Sequence, residues 1–337
     1  MIKNFKKHWL SICLGFGNIL IIIFLLIAYG PFTGFRDWWI TTALGTGNHK
    51  YLARVLYSDN AINRAMERNR ILDFDEDSDA SRIVFDTSPK SQFSSIYEEQ
   101  VLKRDPDNDL YKIVEIQGRE FSGFMLVIYD PTRIELATSR HINRGGQQLT
   151  DLANDHDAIA AINASGFHRT HENVLIPTGT IIRRNRVESV GITSFMGGGL
   201  IGFNKDGVLV LSTQSGSQAI GNGVEYAMTW GPFLILNGVS ANLRGNGGWG
   251  YANRTAIAQR QDGIVLFLVI DGRGSNGSRG ASIKDLVELF EKYGAYNAAN
   301  LDGGGSSAMT LNGELLNEPR GFSHVGERFI PNAWILK

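Results

Sequence analysis

Residues 298–315 read AANLDGGGSSAMTLNGEL. An apolar stretch ends on Asp302, and Gly303, Gly304 and Gly305 follow. Ser306 and Ser307 come next, and then "MTLNGEL" starts a new strand. Asn312-Gly313 within it is the residue pair of a two-residue hairpin turn. A flexible linker does not stand between a buried strand and a hairpin of the same domain. "GGSSA" is similar to a nucleophile elbow, but an elbow leads from its serine into a helix, and here a strand follows. What remains is the end of a strand, carrying an acid beside glycines and hydroxyls.

Two other strands end in the same way. "AIAAIN" at 158–163 runs into Ala-Ser-Gly-Phe-His-Arg, and "IVLFLVID" at 264–271 runs into Gly-Arg-Gly-Ser-Asn-Gly. Asn163, Asp271 and Asp302 therefore each close an apolar strand, where the strand holds the group against a loop-lined crevice. Turn residues are commonly Asp, Asn and Gly, but three such ends on apolar strands point to a shared site. Arg254 opens the apolar strand "TAIAQ", and Arg273, Arg279 and Arg328 lie near these loops or the closing segment. A guanidinium suits bidentate binding of a phosphate.

Several other chemistries fit poorly. "GRGSNG" at 272–277 has the G-x-G-x-x-G spacing, but four residues separate it from the next helix and Asp271 precedes it. A pyrophosphate needs that helix directly and disfavours the acid, so no nicotinamide cofactor is expected. His168, His171 and His324 lack metal-ligand spacing. A calcium site of Asp and Asn oxygens stays open, although no EF-hand-like loop supports it. The net charge of −1 gives no field for nucleic acid.

Outward from these motifs the chain reads as α+β. The expected body is a strand-rich mixed sheet with few helices and many glycine turns, the chain holding 39 glycines against 8 prolines. Strands are expected at 111–118, 121–131, 133–139, 158–163, 179–190, 200–212, 232–238, 254–260, 263–271, 298–302 and 309–315. A short helix is expected over 146–158. A second helix follows Ser282 as N-cap, with Asp285 three residues on, and closes at Gly294.

The N-terminus is of another kind. Residues 9–29, "WLSICLGFGNILIIIFLLIAY", are long and apolar enough to span a bilayer as a helix. Lys3, Lys6 and Lys7 precede it, so the N-terminus is expected in the cytoplasm and the body outside. Trp38 and Trp39 fit an interfacial belt; a cleaved signal peptide is the rival reading. Cys13, the one cysteine, lies before the apolar core, which does not fit a lipoprotein, and an exported body without cysteine has no disulfides. Residues 47–69 show helical spacing, and the acidic, serine-rich run that follows reads as a mobile stem. The expected domains are a tail and anchor at 1–30, juxtamembrane helices and stem at 31–107, and the folded body at 108–337.

Together, "AINASGF" at 161–167, "TWGPFLILNG" at 229–238, "RTAIAQ" at 254–259, "LVIDGR" at 268–273, "NLDGGGSSAM" at 300–309 and "GERFIPNAWIL" at 326–336 resemble the phosphodiester glycosidase family. The likeness spans about 108–337. Where the family usually has two glycines after the first-motif asparagine, this chain has Ala164 and Ser165. The resemblance implies a hydrolase that cleaves sugar-1-phosphodiesters. It implies Asp302 as principal carboxylate and Asp271 as the second. Arg254 and Arg273 would bind phosphate, and Asn163, His168, Gly303, Gly304, Gly305, Ser306 and Ser307 would line the substrate site. The expected substrate is a phosphodiester-linked surface glycan in the wall of a Gram-positive cell. The alternatives are a non-catalytic wall-polymer-binding protein and a glycosyl transferase of exopolysaccharide biosynthesis.

Overall fold

The computed structural model describes residues 2–45, 49–86, 88, 90–172, 174–191, 198–321 and 324–337. The chain divides into two compact units: Met1–Arg70 with Arg244–Gly250, and Ile71–Leu243 with Tyr251–Lys337.

The first unit is helical: α1 (Ile2–Tyr29), α2 (Thr33–Leu44), α3 (Tyr51–Leu56) and α4 (Asp59–Arg68). Ile40 and Ala43 of α2 are buried with Ala53, Tyr57, Ile62 and Ala65, so the apolar face read in 47–69 packs on α2. Residues 46–48 of that stretch lie outside the described residues. Asp37 accepts two hydrogen bonds from Arg68, at 2.9 and 2.6 Å, and one from Asn69 at 2.9 Å. Among the described residues no single helix is long and apolar enough to cross a membrane. Leu14–Tyr29 and Thr33–Leu44 meet that measure only as a pair, bent by 74°.

The second unit is strand-rich with few helices, as the sequence implies. Its seven-stranded sheet runs, in spatial order, Val239–Ser240, Phe233–Leu236, Ala295–Asn300, Arg254–Arg260, Val265–Ile270, Ser122–Ile128 and Tyr111–Gln117. A five-stranded sheet contains Glu314–Leu315, Met309–Leu311, Ala160–Asn163, Asn332–Leu336 and Ile134–Thr138. A second five-stranded sheet contains Leu209–Ser212, Gly199–Asn204, Val224–Trp230, Thr180–Arg183 and Arg186–Val190.

The expected mixed sheet is corrected, because the pairings within these sheets are all antiparallel. Tight turns make this possible. The stretch 179–190, read as one strand, is two strands joined at Arg184 and Asn185, both at positive φ as a hairpin turn of this kind requires. Asn312 and Gly313 form the expected turn in the same way.

The three sheets share one core. Phe267 and Leu126 come from the seven-stranded sheet, Trp334 and Ile162 from one five-stranded sheet, and Phe203 and Met228 from the other. The Phe203 and Trp334 rings meet edge to face at 5.3 Å. Every residue of Val265–Ile270 is buried, which explains its unbroken apolar run. The remaining helices are α5 (Ile96–Leu102), α6 (Leu149–Asp155), α7 (Gly216–Gly221) and α8 (Ile283–Lys292). Ser282 and Asp285 form a full capping box on α8.

The acidic run is not a stem apart from the body. Asp77 accepts hydrogen bonds from Ser212 (2.9 Å), the Thr213 amide (2.7 Å) and Gln214 (2.8 Å). Ser78 and Leu211 exchange two bonds of 2.8 Å, and the Val84 amide reaches the Gln261 carbonyl at 2.9 Å. Val101 and Leu102 of α5 are buried. The acids serve as acceptors for the body's strand ends, and the boundary between units falls at residue 70 instead of 107.

Trp334 fills the junction of the three sheets with no exposure. Trp334→Ala should therefore destabilise the body by about 3–5 kcal/mol, read as a lower urea midpoint at unchanged slope.

Candidate active site

The site forms where antiparallel pairing brings one strand's start beside two strands' ends. Arg254–Arg260 lies between Val265–Ile270 and Ala295–Asn300, with Arg254 opposite Ile270 and Ala256 opposite Asn300. Arg254 therefore sits between the ends that carry Asp271 and Asp302. Those ends are two strand spacings apart, about 10 Å.

Asn163 arrives from the neighbouring sheet. Its amide nitrogen donates to the Asp302 carbonyl (2.6 Å), and its oxygen accepts from the Thr255 hydroxyl (2.7 Å) and the Ala308 amide (3.1 Å). The three sequence-predicted strand ends thus converge, but Asn163 is buried and its bonds go to protein groups that hold Asp302 in place. Ala164 and Ser165 are buried behind it. The Ser165 hydroxyl and amide bond to Asn332, at 2.8 to 3.0 Å, which accounts for these residues in place of glycines.

Asp302 keeps partial exposure. Burial pushes its carboxyl up to about 6; hydrogen bonds from the Ser306 hydroxyl and Gly303 amide, and the charge of Arg328, pull the other way. Arg328 Nη1 lies 3.5 Å from the Ser306 hydroxyl, and its guanidinium stands 5.2 Å from the centre of the Phe167 ring. Arg254 is buried, donates from Nε to the Ala281 carbonyl at 2.9 Å, and is lowered to about 10 by burial and then by Arg273. Arg273 is lowered by burial and by Arg328. Its Nη1 donates to the Arg320 carbonyl at 3.2 Å. Each guanidinium thus feels the next, and Arg328 feels Asp302.

The glycines explain how the guanidiniums fit. A side chain on Gly303 would stand 2.9 Å from the Asn253 carbonyl; on Gly305, 3.1 Å from Arg328 Cδ. Gly304 has φ +63, and a side chain on it would stand 3.5 Å from an Arg273 guanidinium nitrogen. Glycine here lets strand and arginines lie against the loop backbone. That differs from the expectation that a substrate would approach through these positions.

Asp271 is buried, and its oxygens accept from Asn276 (3.0 Å) and Asn317 (3.1 Å). Burial raises its carboxyl and those two amides lower it. Asn317 also donates to the Ser307 carbonyl (3.1 Å) and accepts from the Met309 amide (2.9 Å), so Asp271 anchors the loop that follows Asp302. Both oxygens of the expected second carboxylate are thus engaged by protein amides.

His168 is exposed on the hairpin of Phe167–Arg169 and Leu175–Pro177. Ser306 and Ser307 are both buried beside Asp302. In "GRGSNG", Gly274, Ser275, Gly277 and Ser278 donate their amides within the turn, so the motif forms a closed loop that does not cradle phosphate. Arg279 pairs with Glu120 at 2.8 Å, outside the guanidinium cluster. Among the described residues no group of three or more His, Cys, Asp or Glu is placed to hold a metal. A cavity of about 550 Å³ lies at the other end of strand Arg254–Arg260, lined by Asp86, Glu98, Arg260 and Lys292 among others. A seven-residue strand is about 20 Å long, so that cavity is remote from Asp302. Sequence reasoning noted Arg328 without placing it in the site, and missed Asn317. Asn317 sits in no quoted motif, and Arg328, although within "GERFIPNAWIL", is brought to Asp302 only by the return of the chain.

A carboxylate at a strand end beside three arginines defines an anion-handling site on an antiparallel α+β body. Residues 156–337 match the family model described as phosphodiester glycosidase, and the chain belongs to that family. Members of this family are hydrolases that act on sugar phosphodiesters. Two relatives are the SPbeta prophage-derived uncharacterized protein YomE of Bacillus subtilis (strain 168) and the N-acetylglucosamine-1-phosphodiester alpha-N-acetylglucosaminidase of Bos taurus. The first is 28% identical over 195 residues, covering 56% of this chain and 29% of YomE. The second is 38% identical over 66 residues, covering 20% of this chain and 12% of the bovine protein. The chain therefore spans less than a third of either relative. The zebrafish N-acetylglucosamine-1-phosphodiester alpha-N-acetylglucosaminidase catalytic domain, auto-inhibited by its pro-peptide, shares the fold. Its TM-score is 0.56 at 20% identity, over 69% of this chain and 85% of that one.

The raised Asp302 carboxyl has a consequence for stability. Its folded value of about 6 lies above the ordinary 3.8, so its contribution is complete below about pH 4 and lost as pH rises through 6. Asp302→Asn should be more stable than the parent at pH 8, on the order of 1–2 kcal/mol. Urea denaturation at pH 8 and pH 4 should show the gain at the first and not at the second.

Proposed function

We propose that the protein is a membrane-anchored, extracytoplasmic glycosidase that hydrolyses sugar-1-phosphodiester linkages in cell-surface polysaccharide or teichoic-acid-like polymers. The observation that carries this is the placing of Asp302 within the cluster of Arg254, Arg273 and Arg328. Arg254, Arg273 and Arg328 gather guanidiniums on one side of the partly exposed Asp302, an arrangement that suits a bound phosphodiester. Family membership supports the same chemistry.

In this reading the arginines hold the phosphate and stabilise it as it leaves. The group that leaves is a phosphate monoester dianion, a far weaker base than an alkoxide, so its departure needs little protonation. Asp302, ionised, faces the anomeric carbon as nucleophile or as base for water. Ser306 and Arg328 keep that carboxyl from rising further. Asp271 and Asn163 position the loop and touch no substrate. His168, exposed on its hairpin, is left as a polar group for sugar or phosphate oxygens.

The proposal sets 9–29 in the cytoplasmic membrane with the N-terminus inside and the body on the wall side. What supports this is the apolar surface of α1, where Leu14, Phe16 and every residue from Ile19 to Ile27 are exposed.

The test is release of free sugar from a synthetic N-acetylglucosamine-1-phosphodiester and a hexose-1-phosphodiester. Asp302→Asn should abolish release, and Arg254→Met should lower kcat/KM by about 10²–10³-fold. If neither substrate yields sugar, and Asp302→Asn still binds wall polymer like the parent, the non-catalytic reading replaces this one. Because Asp302 must be ionised, the rate should climb as pH rises through about 6. Arg328→Met removes a charge that lowers Asp302, so its acidic limb should shift to higher pH in a pH–rate profile.

A further inference from the structure

The bend between α1 and α2 carries a further inference about the helical unit. A helix that is apolar all round needs a cover on every side, and a bilayer is the cover proposed above for α1. Its direction then fixes that of α2. The two axes differ by 74° across a break of a few residues, so with α1 crossing the bilayer, α2 runs nearly along its surface.

The two sides of α2 differ as such a placement requires. Asp37, Ile40, Thr41 and Ala43 are buried toward α3 and α4, and Asp37 is held there by Arg68 and Asn69. On the other side Phe32 is 75% exposed and Trp38 38% exposed, and Phe35 packs on Trp38 at 5.7 Å between ring centres. Phe35 and Trp38 fall three residues apart on α2, and Phe32 is the extended residue that precedes its first turn. Trp39 also packs on both rings, at 6.0 and 6.3 Å between centres, but is turned inward, its indole N–H donating to the Leu52 carbonyl at 3.1 Å. The belt expected of Trp38 and Trp39 therefore reduces to Trp38 with its phenylalanine neighbours.

We infer that α2 is an interfacial helix whose Phe35 and Trp38, with Phe32 before them, are seated in the headgroup layer of the bilayer. This rests on the anchor reading of α1. The argument for lipid as the occupant is continuity: these aromatics begin three residues after α1 ends, and aromatic side chains favour that layer. The buried Asp37 contacts then hold α3 and α4 on the water side of α2, as a folded knob at the surface.

The experiment uses the full chain with Cys13→Ser, reconstituted in phosphatidylcholine–phosphatidylglycerol vesicles. Single substitutions Ile21→Cys, Phe32→Cys, Trp38→Cys and Asn60→Cys are spin-labelled, and collision with oxygen is compared with collision with a water-soluble nickel complex. The expected result is deep burial at 21, loss of nickel access with moderate oxygen access at 32 and 38, and full nickel access at 60. Nickel access at 32 and 38 equal to that at 60, with 21 still deep, overturns the inference and leaves the anchor standing. Nickel access at 21 removes the anchor reading and the inference with it. Spin–spin broadening at 32 or 38 that vanishes on dilution with unlabelled chain assigns the face to a second copy and also overturns the inference.

Discussion

The Asn163 carboxamide is the contact on which the site's geometry turns. It is fixed in one sheet, opposite Ala333, and reaches two groups of the other sheet and the start of the neighbouring strand in its own. It holds the Asp302 carbonyl, the Thr255 hydroxyl and the Ala308 amide at once. The loop carrying Asp302 is therefore pinned at its start, at its end and against the strand that brings Arg254. An unpaired buried amide costs about 1–3 kcal/mol, so leaving this one unsatisfied would be costly. The same bonds leave Asn163 poorly suited to bind substrate, even though sequence pattern alone makes it look like Asp271 and Asp302.

Those three strand ends share a pattern yet differ in chemistry, and burial is what separates them. Asp271 is enclosed and bonded to amides on both oxygens, while Asp302 keeps partial exposure beside cations. Arg273 disfavours the charge of Arg254, and Arg328 disfavours that of Arg273. With its value still at about 10, Arg254 stays charged at neutral pH. Such crowding of like charges costs free energy.

The legible parts of the sequence were those set by local rules. Alternation and apolar runs marked strands such as Tyr111–Gln117 and Val265–Ile270, and Ser282 with Asp285 marked the start of α8. The convergence of Asn163, Asp271, Asp302 and Arg254 also followed, because each sits at an end of an apolar strand. What escaped depends on partners distant in sequence. Asp77 looked like part of a solvated acidic run until Leu209–Ser212 and the residues after it supplied its donors. Arg328 looked ordinary because Ser306 and Phe167 lie far from it in the chain. Antiparallel pairing of every sheet, against the mixed pairing expected, is a matter of connection order, which strand patterning does not encode.

The helical unit shows the same dependence on distant residues. Asn246 donates to the Thr41 hydroxyl at 3.1 Å, and its amide reaches Asn69 at 3.3 Å. A side chain on Gly250 would stand 2.2 Å from Thr42 Oγ1, so that backbone can approach α2 only as glycine. The unit made by the first 70 residues is thus completed by Arg244–Gly250, which the chain supplies more than 170 residues later. Closing so long a loop costs only a few kcal/mol more than closing a short one.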